Sequence, residues 1–311
     1  MAPTQPSVEL RTWQGEAAAV LAAGPYEAVF LPEVGMLGAS LTHDGVDLLS
    51  LHGGVEAYRE GHTTGLPLLH PWANRLSARH YRAAGVDVDL DRGDLHTDAN
   101  GLPIHGTMQG AQHWQVVSQS ADGDSAQLRA RFEYHGRPDL MASFPFAHDL
   151  DLDAELGPDG LAVTTTVRPT GQDAVPISFG FHPYFTLPGA TRSSLRVQLP
   201  DREHLTLDDR GIPTGERAAE VAADEPLDDR SFDDHYHLVA DRRLGLTDGE
   251  RVLVVDLDEG YPYTQVYSPA GETFVALEPM TAPVDALVDG GYAIAEPDSP
   301  FAATFRVSLA G

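Results

Sequence analysis

Two imidazoles, a guanidinium and a carboxylate stand in settings that ordinary polar surface does not explain. His182 lies in Ser178-Phe179-Gly180-Phe181-His182-Pro183-Tyr184-Phe185, held among aromatic residues, with Pro183 fixing the backbone. Aromatic surroundings desolvate the ring and lower its pKa, which suits a proton donor working near neutrality. Glu278 ends the apolar run Phe274-Val275-Ala276-Leu277 just before Pro279. A carboxylate in that position serves either a salt bridge or general base catalysis, the salt bridge being the commoner role. In Leu69-His70-Pro71-Trp72-Ala73-Asn74-Arg75-Leu76 an Asn-Arg pair follows a Trp. The guanidinium is a planar fork of donors for hydroxyls or carboxylates, and Trp72 is either an aromatic wall or simple core packing. Asn100-Gly101-Leu102-Pro103-Ile104-His105-Gly106 carries His105 through a turn ahead of Trp114. A lone histidine there is more often structural than functional.

Composition removes most other chemistry. The 311 residues include no Cys and no Lys, so disulfides, thiolate metal sites, cysteine nucleophiles, Schiff bases and a P-loop lysine are all excluded. Forty-seven acidic residues against 20 arginines give a net charge of −27, and protonating all 14 His would not reverse the sign. Such a chain repels nucleic-acid backbones and anionic membrane surfaces, and phosphorylated substrates more weakly. The acidic excess concentrates in runs such as 87–94 and 224–229, which read as solvated loops. No apolar run approaches the roughly 18 residues of a membrane span, and Met1-Ala2-Pro3-Thr4 lacks a basic n-region, which predicts a cytoplasmic protein.

The elements that must position these groups are strands. In 146–156, Phe146, Leu150, Leu152, Ala154 and Leu156 alternate with Asp149, Asp151, Asp153 and Glu155, the period of a half-buried strand. Similar runs occur at 8–13, 26–31, 86–90, 114–118, 127–134, 161–168, 195–199, 251–257, 263–267, 273–277 and 302–309. Asp-Gly pairs at 44–45, 122–123, 159–160 and 248–249 supply turns between them. With 42% hydrophobic residues, 30 Gly and 23 Pro, this pattern predicts an all-β chain, a large antiparallel sandwich forming a single domain over 1–311. Short helices are expected only near 55–59 and 216–222.

In this order, Asn74-Arg75, His105-Gly106, His182-Pro183-Tyr184-Phe185, Asp233-Asp234-His235-Tyr236 and Glu278-Pro279 resemble the aldose 1-epimerase (galactose mutarotase) family across roughly residues 60–290. The resemblance implies a β-supersandwich that interconverts α and β anomers of a free hexose without metal or cofactor, as a monomer or homodimer. It further implies His182 as general acid and Glu278 as general base, with Asn74, Arg75, His105 and Asp233 binding the sugar. Asp233 is preferred to its neighbour Asp234 because it stands three residues before Tyr236. Departures from the family pattern, Gly106-Thr107 and Pro279-Met280-Thr281-Ala282-Pro283, mark a divergent branch, and Gln265 is the one candidate for a further polar ligand.

Other readings stay in view. A hexose-6-phosphate mutarotase would use Arg79 and Arg82 on the phosphate. A sugar-binding protein would keep Trp72, Trp114 and Tyr184 as platforms without turnover. A glycoside hydrolase would need a second carboxylate beside the scissile bond, leaving His182 without a role. His235-Tyr236-His237 alternates as a metal pair would, but no following Glu completes such a site.

Overall fold

The structure, a computed structural model, describes residues 4–93 and 95–310. Met1-Ala2-Pro3, on which part of the N-terminal reading rests, and Asp94, last of the first acidic run, lie outside the described residues.

The strand ladders are antiparallel and form three large sheets. In the nine-stranded sheet the order is Ala223–Pro226, Arg196–Leu199, Arg243–Thr247, Val252–Leu257, Phe301–Ala310, Gly160–Pro169, His148–Gly157, Ser125–Phe132 and Gln115–Asp122. The seven-stranded sheet runs Pro213–Glu220, Arg202–Leu207, Phe232–Leu238, Tyr263–Ser268, Ala276–Met280, Gly180–Phe181 and Leu68–Leu69. A five-stranded sheet is built from Thr4–Trp13 through Val46–Asp47.

Alternation decides what each face meets. In His148–Gly157 the side chains of Leu150, Leu152, Ala154 and Leu156 are buried. Asp151, on the polar side of that pattern, is buried as well, because Arg131 (2.6 Å) and Arg168 (2.7 Å) from the flanking strands close on its carboxylate. The nine- and seven-stranded sheets meet through aromatic contacts: Phe181 lies edge-on to Phe305 at 5.0 Å, and Phe179 packs between Tyr261 and Phe301. Phe181 faces this core, so its neighbour His182 faces the other way. One apolar cluster runs from Ala19 to Val307.

The helix expected at 55–59 forms as Gly54–Arg59. The one expected at 216–222 does not: Pro213–Glu220 is the edge strand of the seven-stranded sheet, paired with Arg202–Leu207. Its Glu, Arg and Ala content favours helix, but the turn before it overrides local preference. There the Asp208 carboxylate accepts the N–H groups of Arg210 and Ile212, and Gly211 takes a φ of +77°, sending the chain back along its neighbour. Among the described residues, no helix is long and apolar enough to cross a membrane.

Candidate active site

Strand register brings the scattered residues together. Across the seven-stranded sheet, Leu205 pairs with His235, His235 with Gln265, and Gln265 with Glu278. Gly180 pairs with Met280, and two residues further along the same register His182 comes opposite Glu278. Direct cross-strand partners share a face, so five residues far apart in sequence form one row. Asp233 pairs with Tyr267 on the adjacent rung of the same face.

His182 Nε2 stands 3.3 Å from Glu278 Oε1, with both side chains almost completely buried. Tyr184 stacks on the imidazole at 4.7 Å, and its hydroxyl is held 2.6 Å from Thr63 Oγ1. Tyr267 and His105 approach the same ring edge-on, each at 5.6 Å. Burial pushes the His182 pKa down to about 4, further than aromatic flanking alone suggested. Burial also holds the Glu278 carboxyl well above the usual carboxylate range; the nearby Asp233 charge adds to this and Arg75 opposes it. His105 is kept well below its ordinary value by burial first, then by the neighbouring His182 and Arg75. Glu278 Oε2, His182 Nδ1 and His105 Nδ1 are buried without a hydrogen-bond partner among the described residues, which leaves this cluster open to a polar ligand.

The Asn74-Arg75 segment reaches the cluster by a strained loop. Asn74 (φ +58°) and His105 (φ +63°) both take the left-handed region, and the His105 N–H donates to the Asn74 carbonyl at 2.9 Å. Gly106 follows with φ +70°; a Cβ there would sit 2.2 Å from the His70 carbonyl oxygen, so the close approach requires glycine. Asn74 Oδ1 accepts from the Arg75 backbone N–H (2.9 Å) and from its Nη1 (3.2 Å). Arg75 Nε donates to Asp98 Oδ2 at 2.8 Å. Burial alone would raise the Asp98 carboxyl, but bonds from Arg75 and from the Leu102 and Asn100 amides outweigh it and hold the pKa low. Sequence reasoning passed over Asp98, whose signal was an Asx turn ahead of Asn100-Gly101.

The two adjacent aspartates part company. Asp233 Oδ1 accepts from Gln265 Nε2 at 2.7 Å, on the face of His182 and Glu278. Asp234 turns to the opposite face and pairs with His204 at 3.4 Å. Behind Gln265, His235 is fully buried and burial drives its pKa down to about 3, so the ring is neutral. Its Nε2 accepts the Val284 N–H at 3.3 Å, which leaves the ring proton on Nδ1. Gln265 is its cross-strand partner and gives its amide nitrogen to Asp233, while His235 Nδ1 and Gln265 Oε1 are both buried without a hydrogen-bond partner among the described residues.

Several candidates lie elsewhere. Trp72 and Trp114 are core residues, Trp114 tilted against Phe132, and neither is a platform. Their size and apolarity fill the space between sheets, which the sequence could not distinguish from a sugar wall. His237 Nδ1 is bonded to Glu203 at 2.8 Å, and His235 to Val284, so the alternating histidines do not converge on a common point. Arg79 and Arg82 are paired with Asp91 and Asp87.

A family model described as aldose 1-epimerase matches residues 25–307. Among solved structures, a galactose mutarotase-like protein from Clostridium acetobutylicum is similar with a TM-score of 0.87 and 21% identity, over 99% of each chain. A galactose 1-epimerase from Lactobacillus acidophilus NCFM has a TM-score of 0.77 and 15% identity over 98% of each chain. An aldose epimerase homologue from C. elegans has a TM-score of 0.71 and 16% identity, covering 92% of this chain and 95% of its own. No curated protein matches the chain.

Proposed function

The chain belongs to the aldose 1-epimerase family, and from that premise we propose that it interconverts the α and β anomers of a hexose by general acid–base opening and closing of the ring. The observation that carries this reading is the 3.3 Å contact between His182 Nε2 and Glu278 Oε1, both buried and both with a second polar atom unpartnered.

Mutarotation needs a base for the C1 hydroxyl proton and an acid for the ring oxygen, acting together. Burial raises the Glu278 carboxyl well above its usual range and lowers the His182 imidazole to about 4, so both shifts favour a pair that shares one proton. On Glu278 that proton leaves both groups neutral, the form that burial favours. Moved to His182, it produces a carboxylate base and an imidazolium acid with no change in net charge. In the substrate complex the C1–O5 unit of the sugar takes the place of the direct contact. Glu278 removes the O1 proton as the C1–O5 bond breaks and His182 protonates O5, giving the open-chain aldehyde. Rotation about C1–C2 and closure on the other carbonyl face return both protons.

Arg75, braced by Asn74 and Asp98, and Asp233, braced by Gln265, serve the sugar hydroxyls as donor fork and acceptor. His105, edge-on to His182 at 5.6 Å, is assigned to the ring oxygen beside it. A neutral sugar fits this site better than its 6-phosphate, since the net charge is −27 and Arg79 and Arg82 already hold carboxylates. The test is polarimetry of freshly dissolved α-D-glucose and α-D-galactose at low buffer concentration. Acceleration that Glu278→Gln abolishes supports the reading; no acceleration of any aldose sinks it.

A further inference from the structure

Past the pair Leu205–His235, the Arg202–Leu207 strand leaves its neighbour and runs out to the 208–212 turn. The gap is a cavity of about 410 Å3 between Asp233-Asp234, His204, Asn100 and the tip residues 208–211, with the Arg75 guanidinium as its inner wall. This volume lies within the range of about 300–1,000 Å3 typical of ligand sites. The tip rests directly on Arg75: a Cβ on Gly211 would lie 2.8 Å from Arg75 Nη1.

Position and chemistry both bear on what fills it. The cavity shares Arg75 and Asp233 with the proposed hydroxyl clamp, and neither His182, Glu278 nor His105 lines it. A hexose with C1 at His182 and Glu278 and its remote hydroxyls on Arg75 and Asp233 therefore directs any substituent on those hydroxyls into this space. The lining interleaves donors (Arg75, Arg210, Asn100) with acceptors (Asp208, Asp233, Asp234), which suits a polyhydroxylated occupant more than an aryl or alkyl one. Carboxylates outnumber guanidinium groups there, so an anionic substituent is repelled. Several of these groups are already fixed. Asp208 accepts from Arg210 Nη2 (2.9 Å) and from two backbone amides, and His204 is held between Glu220 (2.9 Å) and Asp234 (3.4 Å). Fixed polar groups bind a ligand with little further ordering.

We propose that this cavity is a subsite for a second, neutral sugar unit, so that the preferred substrate is a reducing disaccharide or longer saccharide whose reducing unit meets His182 and Glu278. The proposal rests on the acid–base reading above, and its test separates the two. Mutarotation of maltose, cellobiose and lactose is compared with that of glucose and galactose for the wild type, Thr206→Trp and Asp209→Trp. Calorimetry follows binding of the same sugars and of glucose 6-phosphate. Thr206 and Asp209 are exposed positions on the cavity wall, and an indole there fills the space.

At least one disaccharide is expected to exceed its monosaccharide in kcat/KM by about tenfold. Each variant lowers the disaccharide value by about tenfold or more and leaves the monosaccharide within about twofold. A wild type that favours monosaccharides, variants that lower both classes equally, or tighter binding of glucose 6-phosphate than of any disaccharide overturns the subsite. If no sugar mutarotates, the acid–base reading has failed and calorimetry decides alone. Disaccharide binding lost in both variants then supports the subsite, and no disaccharide binding to the wild type overturns it.

Discussion

His182 Nε2 and Glu278 Oε1 face each other at 3.3 Å from adjacent positions in a sheet row, and burial moves their pKa values in opposite directions, each toward its neutral form. In the proposed reaction the working form of the pair carries one proton, and this sets the pH dependence. Below about pH 4 His182 gains a proton while Glu278 keeps its own, so the base is lost. Above the raised pKa of Glu278 the pair holds no proton and the acid is lost. The mutarotation rate is expected to have its acid limb near 4 rather than near the ordinary histidine value, and its basic limb at the raised pKa of Glu278. An acid limb centred near pH 6.5 in kcat/KM would show that the two groups titrate independently and would refute the shared proton.

Removing either partner separates chemistry from binding. His182→Asn and Glu278→Gln keep size and polarity but not proton exchange, and each is expected to lower kcat by at least about a hundredfold, the lower end of general acid–base contributions. Calorimetry should find sugar affinity within about tenfold of wild type. Near-wild-type turnover in both variants would remove the pair from the reaction.

Asp98 bonds Arg75 from outside the reacting pair, through Nε at 2.8 Å. Asp98→Ala frees the guanidinium to leave its fork position, so the expected change is a rise in KM of about tenfold with kcat little altered, the signature of lost uniform binding. A fall in kcat with KM unchanged would instead tie Asp98 to the chemical step.

Much of this site was legible before the fold was known, and the illegible part has a common physical cause. Asn74-Arg75, His105, His182, Asp233 and Glu278 announce themselves as polar groups in apolar or turn contexts, and the structure gathers them around one row of the seven-stranded sheet. Period-two alternation likewise reveals the sandwich, since half-buried strands write their burial into sequence. Register does not appear in sequence. That Gln265 stands between His235 and Glu278 depends on pairing strands whose residues are 13 and 30 positions apart, so in the sequence Gln265 is only a candidate and His235 has no assigned role. Trp72 and Trp114 failed as platforms because an aromatic residue facing the core and one facing a ligand have the same sequence context. Residues 216–222 failed as a helix because the 208–212 turn, not local propensity, decides their partner.

His235, fixed by the Val284 N–H, stands directly opposite Gln265, which holds Asp233, and is expected to act as a positioning residue through that neighbour. His235→Leu replaces the polar ring opposite Gln265 with an apolar side chain, so the amide is less well fixed against Asp233. The expected result is a several-fold rise in KM with the pH profile of kcat unchanged. His235→Asn keeps an N–H near the Nδ1 position and should recover most of the loss. Equal defects in both variants would mean that His235 matters only for packing.

Five buried histidines, His70, His105, His148, His182 and His235, have pKa values below the ordinary 6.5, all through burial. His148 lies at about 4 and His235 at about 3, and His70 Nε2 meets His148 Nε2 at 2.8 Å in a pocket of Tyr134 and Phe144. Between those values and 6.5 the unfolded chain binds protons that the folded chain refuses, so stability is full above about pH 6.5 and falls as pH drops. Each group contributes a slope of up to about 1.4 kcal/mol per pH unit within its window. Glu278, Asp234 and Asp285 have the opposite sign: burial raises their carboxyls, which favours the fold at low pH and is lost as pH rises through their folded values, but they are three groups against five. Urea unfolding is therefore expected to show a free energy several kcal/mol lower at pH 5 than at pH 7.5. Equal stability at the two values would mean that these rings bind protons equally in the folded and unfolded chain, and the burial argument for His182 would fall with the other four.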